Sequence, residues 1–114
     1  MSVEQLIEVI KNDPSNIAFE NVISVIEANY HYTPTSFKNG DLENQASTNE
    51  GSCKIFAFAQ LNDLSKAETL ACFGRYYRDD VLGNPNSNDH GNIRNFINSG
   101  WNGISFSSQA LQQK

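Results

Sequence analysis

The sequence is poor in the residues that mark several large classes of protein. It has two cysteines among 114 residues, and eight Lys and Arg residues against 13 Asp and Glu, for a formal net charge of −5. Two cysteines make no disulfide framework, and without a CxxC pair they are not spaced for zinc. An acidic chain with scattered basic residues repels phosphate backbones and anionic lipids. This balance argues against nucleic acid and membrane partners.

Long apolar runs and targeting signals are also missing. No run approaches the roughly 20 apolar residues that a membrane-spanning helix needs. After Met1 the chain continues Ser2-Val3-Glu4-Gln5, with acidic and polar residues where a signal peptide carries positive charge. We therefore expect a cytoplasmic protein in a reducing compartment, with its two cysteines buried as free thiols.

Helical spacing of apolar residues is the main structural signal in the N-terminal half. Between Val3 and Ile10 the apolar residues fall at i, i+3, i+4 and i+7, and Ser2 with Gln5 forms a capping box. The same spacing predicts a second helix over residues 16–28. Because only about four residues join the two, an antiparallel helical hairpin is expected.

The middle of the chain predicts three more helices. The first covers residues 51–62 and is apolar on most of its circumference, which indicates a central, buried helix. The second starts at a capping box, Ser65 with Glu68, and continues to Val81 before Gly83-Asn84-Pro85 ends it. The third is short, capped by Asp89 and closed by Gly100.

Two segments favour β structure instead. Residues 30–37 have strand propensity, although Pro34 confines any strand there to an edge, and residues 103–107 alternate in a way that suits pairing with them. Asn39-Gly40 is a turn signal, and residues 40–50 are polar and predicted to be a surface loop. The fold prediction is mainly α: a single compact domain, 1–114, of four to five helices with at most a small two-stranded β element (30–37 with 103–107).

One dense polar stretch stands out from this folding pattern. On a helix, Arg75 and Asp79 share a face, as do Tyr76 and Asp80. Arginine binds carboxylate or phosphate in a bidentate fork, so the stretch suits a planar anionic ligand or a partner peptide. The alternative is a solvated helix end laced with ion pairs.

The residues that follow add a second candidate feature. A helix that begins near His90 offers free amides and the positive end of its dipole, which favour an anion. The alternative is a capping Asp with an exposed histidine. We take both features together as one candidate ligand- or partner-binding surface, which comprises Arg75, Tyr76, Arg78, Asp79, Asp80, Asp89, His90, Asn92 and Arg94.

Recognisable catalytic, cofactor and metal motifs do not occur. There is no Gly-x-Ser-x-Gly elbow and no Gly-rich phosphate loop. Residues 84–95 superficially resemble a calcium loop, but an EF-hand needs Gly at its sixth position and Glu at its twelfth, where this chain has Asp89 and Asn95. We predict no catalytic residue, no metal ligand and no cofactor.

Several uninterrupted blocks closely resemble the HopJ type III effector family. They are Tyr-Thr-Pro-Thr-Ser-Phe-Lys-Asn-Gly (32–40), Gly-Ser-Cys-Lys-Ile-Phe-Ala-Phe-Ala (51–59), Leu-Asn-Asp-Leu-Ser (61–65), Cys-Phe-Gly-Arg-Tyr-Tyr-Arg-Asp-Asp-Val-Leu-Gly-Asn-Pro (72–85), Asp-His-Gly-Asn-Ile-Arg-Asn-Phe (89–96) and Gly-Trp-Asn-Gly-Ile-Ser-Phe (100–106). The resemblance covers about residues 16–112. It implies a small bacterial protein of a family named after a plant-pathogen effector, and it implies no catalytic residues and no cofactor.

Three functional hypotheses follow. The first is a non-enzymatic binding module, a monomer or weak dimer, whose partner is a protein or a small anionic ligand. The second, which the resemblance implies, is a host-directed secreted effector. The third is a small enzyme that uses His90 with Asp79 or Asp80 as an acid–base pair.

Overall fold

Helices make up most of the computed structural model, which describes all 114 residues. The α-helices are α1 (Val3–Asn12), α2 (Phe19–Asn29), α3 (Glu50–Leu61), α4 (Lys66–Ala71) and α5 (Gly91–Ser99). Short 3-10 helices cover Pro14–Asn16 and Gly100–Gly103, and a π-helix covers Tyr76–Val81. The mainly α prediction is confirmed, and so are the capping boxes at Ser2 and Ser65.

Five three-residue strands form two small antiparallel sheets. They are β1 (Tyr30–Tyr32), β2 (Phe37–Asn39), β3 (Leu42–Asn44), β4 (Ile104–Phe106) and β5 (Leu111–Gln113). One sheet pairs β1 with β5, and the other has the order β3-β2-β4. The β structure is thus still minor, but it is divided between two sheets.

The predicted strand pairing is correct for only part of its range. Phe37 lies opposite Phe106, as expected for a pairing of 30–37 with 103–107. Tyr30–Tyr32 pairs instead with Leu111–Gln113, at the end of the chain. Pro34 lies between β1 and β2 and has no amide to donate, which separates the segment into two strands that join different sheets.

The prediction of a loop over residues 40–50 is wrong for its first part. Gly40 has φ +61° and turns the chain at the predicted Asn39-Gly40 signal, so that β3 folds back on β2. Asn44 pairs with Phe37 across the hairpin and is buried. Asn44 is polar, so the sequence pattern predicted a surface position, but its side chain is buried because other amides satisfy its hydrogen bonds.

The helix predicted from Ser65 to Val81 is broken. It stops as an α-helix at Ala71, Gly74 adopts φ +58°, and the π-helix follows. A Cβ atom on Gly74 would lie 2.7 Å from the backbone nitrogen of Phe19. Only glycine allows this close approach to the start of α2 in a left-handed conformation.

The core surrounds α3, as predicted. Five consecutive residues, Ile55–Ala59, are buried. The ring of Phe56 lies 4.9 to 6.4 Å, between centroids, from four other aromatic rings. These rings belong to Phe37, Phe73, Phe96 and Trp101. Helix α3 thereby fixes the positions of β2, α5 and the segment after α4.

Two further predictions concern the cysteines and the membrane. Cys53 and Cys72 are both buried and free, as expected. None of the helices has the length and apolar character that crossing a bilayer would require.

Candidate functional site

A cleft of about 350 Å³ opens where α3 and α5 begin. We call it the His90 cleft. Helices α2, α3 and α5 and the segment around the π-helix all contribute to its walls. Its lining residues are Phe19, Asn49, Gly51, Ser52, Phe73, Tyr76, His90, Gly91, Asn92 and Ile93.

The two helices that begin at this cleft have no side-chain cap. The residue before each helix, Asn49 for α3 and His90 for α5, has a left-handed backbone with φ near +50°, and neither side chain accepts from the first turn. The first amides of an α-helix have no acceptor within the helix. The backbone amides of Gly51, Ser52 and Gly91 accordingly form no hydrogen bond within the protein.

The charge of these helix ends favours an anion. Each N-terminus carries the equivalent of roughly half a positive elementary charge. The only acidic residue in the first turn of α3, Glu50, is exposed and does not line the cleft, and the first turn of α5 has none. No Lys or Arg lines the cleft either, so the backbone dipoles are the only source of positive charge among its lining residues when His90 is neutral.

His90 contributes the imidazole of the cleft. Its Nε2 atom lies 3.0 Å from Oδ2 of Asp80, and its ring centroid lies 5.3 Å from that of Tyr76. Tyr76 in turn packs edge-on against Phe19 at 5.2 Å. The prediction that Tyr76 and Asp80 share a face is confirmed, since both contact His90, although they do so from a π-helix.

Asp89 does not cap α5 as predicted, because His90 occupies the N-cap position. Asp89 is instead held by Arg94, whose Nη2 donates to Oδ1 at 2.7 Å and whose Nε donates to the Asp89 carbonyl at 2.6 Å. The hydrogen bond from Arg94 lowers the pKa of the Asp89 carboxyl below its ordinary value. A third bond, from Nη1 to the carbonyl of Pro85 at 3.4 Å, ties down the loop that leads to His90.

Six of the nine predicted surface residues do not line the His90 cleft, among them Arg75, Arg78 and Asp79. Arg75 pairs with Glu20 at 3.3 Å and covers the ring of Tyr76, with 4.8 Å from its Cζ to the ring centroid. Arg78 donates to the carbonyl of Pro14 at 3.3 Å. Asp79 is exposed and forms no ion pair or hydrogen bond through its side chain. The predicted set is therefore divided, and the cleft gathers Tyr76, His90 and Asn92, with Asp80 behind His90.

A buried asparagine network supports the cleft from behind, and the sequence interpretation missed it. Asn39 Nδ2 donates to Oδ1 of Asn92 at 3.0 Å, Asn44 Nδ2 donates to the same oxygen at 3.1 Å, and Asn92 Nδ2 donates to Asn44 Oδ1 at 2.9 Å. Asn49 Nδ2 completes the network with a 2.8 Å bond to Asn44. The turn signal at Asn39-Gly40 could have indicated this network. The turn forms a hairpin that brings Asn39 and Asn44 towards α5.

The chemistry of the cleft distinguishes it from the groove over the three-stranded sheet. A groove of about 390 Å³ over the three-stranded sheet, lined by Phe37, Lys38, Glu43 and their neighbours, contains neither a histidine nor a helix N-terminus. No three His, Cys, Asp or Glu side chains anywhere in the chain are grouped to hold a metal ion. The His90 cleft instead combines free amide donors, one imidazole and an aromatic wall.

The fold and the cleft define a small, mainly α, single-domain protein with a surface cleft at two helix N-termini. The chain belongs to the HopJ family, because the family model described as "HopJ type III effector protein" matches residues 3–111. It is also similar to the protein of a solved structure titled "Crystal structure of unknown function protein VPA0580". That similarity has 53% sequence identity and a TM-score of 0.98, and covers 100% of this chain and 95% of the other. No curated protein matches the chain.

Proposed function

We propose that this protein is a non-enzymatic binding module that holds a small organic monoanion in the His90 cleft. The observation that carries the proposal is the opening of two uncapped helix N-termini, those of α3 and α5, into one cleft. Helix N-termini bind anions because their free amides and dipoles both favour negative charge. The proposal keeps the small anionic ligand expected from the sequence and assigns it to a specific place.

The charge balance favours a monoanion such as a carboxylate over a phosphate dianion. Two helix dipoles of about half a charge each amount to roughly one positive charge. No basic side chain lines the cleft to balance a second negative charge. Phosphate-binding sites commonly add Arg or Lys to the backbone amides.

The rest of the ligand is expected to be apolar and partly planar. Phe19, Phe73 and Ile93 form the apolar part of the lining, and the rings of Tyr76 and His90 extend it. An aromatic or aliphatic group bound there would gain from burial of its apolar surface, at roughly 25 cal/mol per Å². Small aromatic carboxylates are therefore the first ligands to test.

The direct test is a titration of isotope-labelled protein with benzoate, benzamide and inorganic phosphate, followed in the amide spectrum. We expect benzoate to shift the amides of Gly51, Ser52 and Gly91, and the uncharged benzamide to leave them in place. Equal shifts with all three compounds, or none with benzoate and other aromatic carboxylates, would remove the proposal.

A substitution at Ser52 separates binding from folding. Ser52 lies in the first turn of α3 and lines the cleft. Ser52→Asp introduces a carboxylate that competes with the ligand for the same amides, and it should leave stability unchanged or raise it by about 0.5 kcal/mol through the helix dipole. Ser52→Asn, which is uncharged and similar in size, is the matched control and should retain benzoate binding.

A second candidate is a host-directed effector, which the family membership supports. Its test is a translocation reporter fused to the full chain, produced in cells with and without a functional type III secretion apparatus. Delivery into host cells only when the apparatus works would support this function. The two candidates are compatible, because a delivered protein still needs a ligand or a partner.

The contact between His90 and Asp80 also favours the acid–base pair proposed from the sequence, with Asp80 and not Asp79 as the partner of the imidazole. An enzyme would turn over the ligand that a binding module only holds. Prolonged incubation of the protein with any carboxylate that binds, followed by mass spectrometry, distinguishes the two. An unchanged ligand mass supports the binding module.

A further inference from the structure

The two ring nitrogens of His90 have different environments. Nε2 lies 3.0 Å from Oδ2 of Asp80, whereas Nδ1 has no hydrogen-bond partner in the protein. Only two buried polar side-chain atoms have no partner, Tyr32 Oη and Asn39 Oδ1. Because Nδ1 of the half-buried His90 also has no partner but is not one of these buried atoms, it is accessible to solvent. Asp80 thus bonds Nε2 of His90, while Nδ1 of the same ring, which lines the cleft, is free to bond a ligand.

The chemistry of Asp80 determines which nitrogen carries the proton in the neutral ring. An ionised carboxylate can only accept hydrogen bonds. A neutral imidazole facing it at Nε2 must therefore carry its proton there, and Nδ1 presents a lone pair. This is the way in which a carboxylate behind a functional histidine fixes its tautomer.

Two unusual backbone conformations hold this arrangement in place. His90 has φ +50° and ψ +50°, a left-handed conformation that is costly for a residue with a side chain. Asp80 lies in a π-helix, a rare conformation that occurs frequently at functional sites. The tilted packing of Tyr76 against the imidazole further restricts rotation of the ring.

We infer that His90, positioned by Asp80, determines specificity by accepting a hydrogen bond at Nδ1, so the ligand is a carboxylic acid that carries a hydroxyl group beside the carboxylate. The inference rests on the proposed function, which supplies the carboxylate. His90 directly precedes Gly91 and both residues line the cleft, so the imidazole and the anion site belong to the same cleft. The donor group therefore belongs on the carbon next to the carboxylate, with the apolar remainder against Phe19 and Phe73.

Three closely related acids test this inference. The first, 3-phenyllactate, carries a hydroxyl next to the carboxylate; phenylpyruvate carries an oxo group there, which only accepts; and 3-phenylpropionate carries neither. We expect 3-phenyllactate to bind about tenfold more tightly than the other two, the effect of one hydrogen bond that the other acids cannot form. In His90→Asn, which tolerates the left-handed backbone, the three affinities should become equal.

The tautomer of His90 provides a readout that does not depend on any ligand. Nitrogen and carbon shifts of the labelled imidazole, recorded at a pH where the same spectra show a neutral ring, should report the proton on Nε2. In Asp80→Ala the two tautomers should mix. A proton on Nδ1 in the unmodified protein would overturn the inference.

The outcomes distinguish failure of the inference from failure of the proposed function. If all three acids shift the amides of Gly51 and Gly91 with equal affinity, the carboxylate site stands and the specificity role of His90 is wrong. The same conclusion follows if the preference for 3-phenyllactate persists in His90→Asn. If none of the acids shifts these amides, the proposed function fails and the inference fails with it.

Discussion

Asn44 and Asn92 bond each other in both directions. Nδ2 of Asn44 donates to Oδ1 of Asn92 at 3.1 Å, and Nδ2 of Asn92 donates to Oδ1 of Asn44 at 2.9 Å. Both residues are buried, and the pair joins strand β3 to the first turn of α5. It therefore fixes the end of α5 that opens into the His90 cleft.

This pair predicts a large loss of stability on substitution. Asn44→Ala removes both reciprocal bonds and the acceptor of Asn49, and it leaves the buried Nδ2 of Asn92 unpaired, while Oδ1 of Asn92 keeps its bond from Asn39. We expect the free energy of unfolding to fall by about 2–4 kcal/mol, measured by urea denaturation. The control is Asn98→Ala, on the exposed side of α5, which should change stability by less than about 0.5 kcal/mol. Similar values for both variants would contradict the role given to the network.

Gly74 predicts a second, backbone effect. A side chain there would take a left-handed conformation and would place Cβ 2.7 Å from the backbone of Phe19. Because backbone atoms cannot move aside as a flexible side chain can, Gly74→Ala should cost at least about 3 kcal/mol. Gly91→Ala is the comparison, since a Cβ there meets only Leu42 at 3.6 Å and α5 gains helix propensity. Equal thermal stability of the two variants would refute the argument.

Arg94 predicts an effect on the approach to His90. Its three hydrogen bonds to Asp89 and Pro85 hold the loop that ends at the N-cap of α5. Arg94→Gln should accelerate hydrogen exchange of residues 85–90 and weaken carboxylate binding severalfold, with the core unchanged. Arg78→Ala removes an arginine whose side chain hydrogen-bonds to Pro14, outside the cleft, and should leave binding unaltered. If Arg78→Ala loses binding and Arg94→Gln keeps it, the ligand does not bind in the His90 cleft.

The buried thiols predict a dependence of stability on alkaline pH. Burial, together with the nearby Glu68, raises the pKa of the Cys72 thiol from 9.0 to about 12. Between these values the unfolded state has lost a proton that the folded state keeps, so the free energy of unfolding falls as the pH rises. Below the unfolded pKa the effect is absent.

Denaturation series from neutral pH to about pH 11 measure this slope. Cys72→Ala should be less stable at every pH, because it leaves a cavity, but should show a shallower decline on the alkaline side. If the stability of Cys72→Ala declines just as steeply, other groups cause the decline. Cys53 is one of them, because burial also raises its pKa. Both thiols should react with a thiol reagent only on unfolding, since they are buried.

Local sequence patterns predicted the core helices and part of the candidate site. Apolar periodicity predicted α1, α2 and α3 because each of these helices buries one face, or nearly its whole surface, and the pattern is local. Capping boxes at Ser2 and Ser65 were predictable for the same reason. The candidate residues Tyr76, Asp80 and His90 were also chosen correctly as neighbours, through helical spacing and their position at a helix start.

Composition and contacts within single helices account for the mainly α fold, the central position of α3 and the acidic, cysteine-poor character of the chain. The break at Gly74, the π-helix that carries Asp80 to His90, and the pairing of β1 with the C-terminal strand arise only in the folded chain. So does the hydrogen-bonded cluster of Asn39, Asn44 and Asn92. Each of these depends on segments far apart in the chain that approach one another, and no local pattern records such an approach.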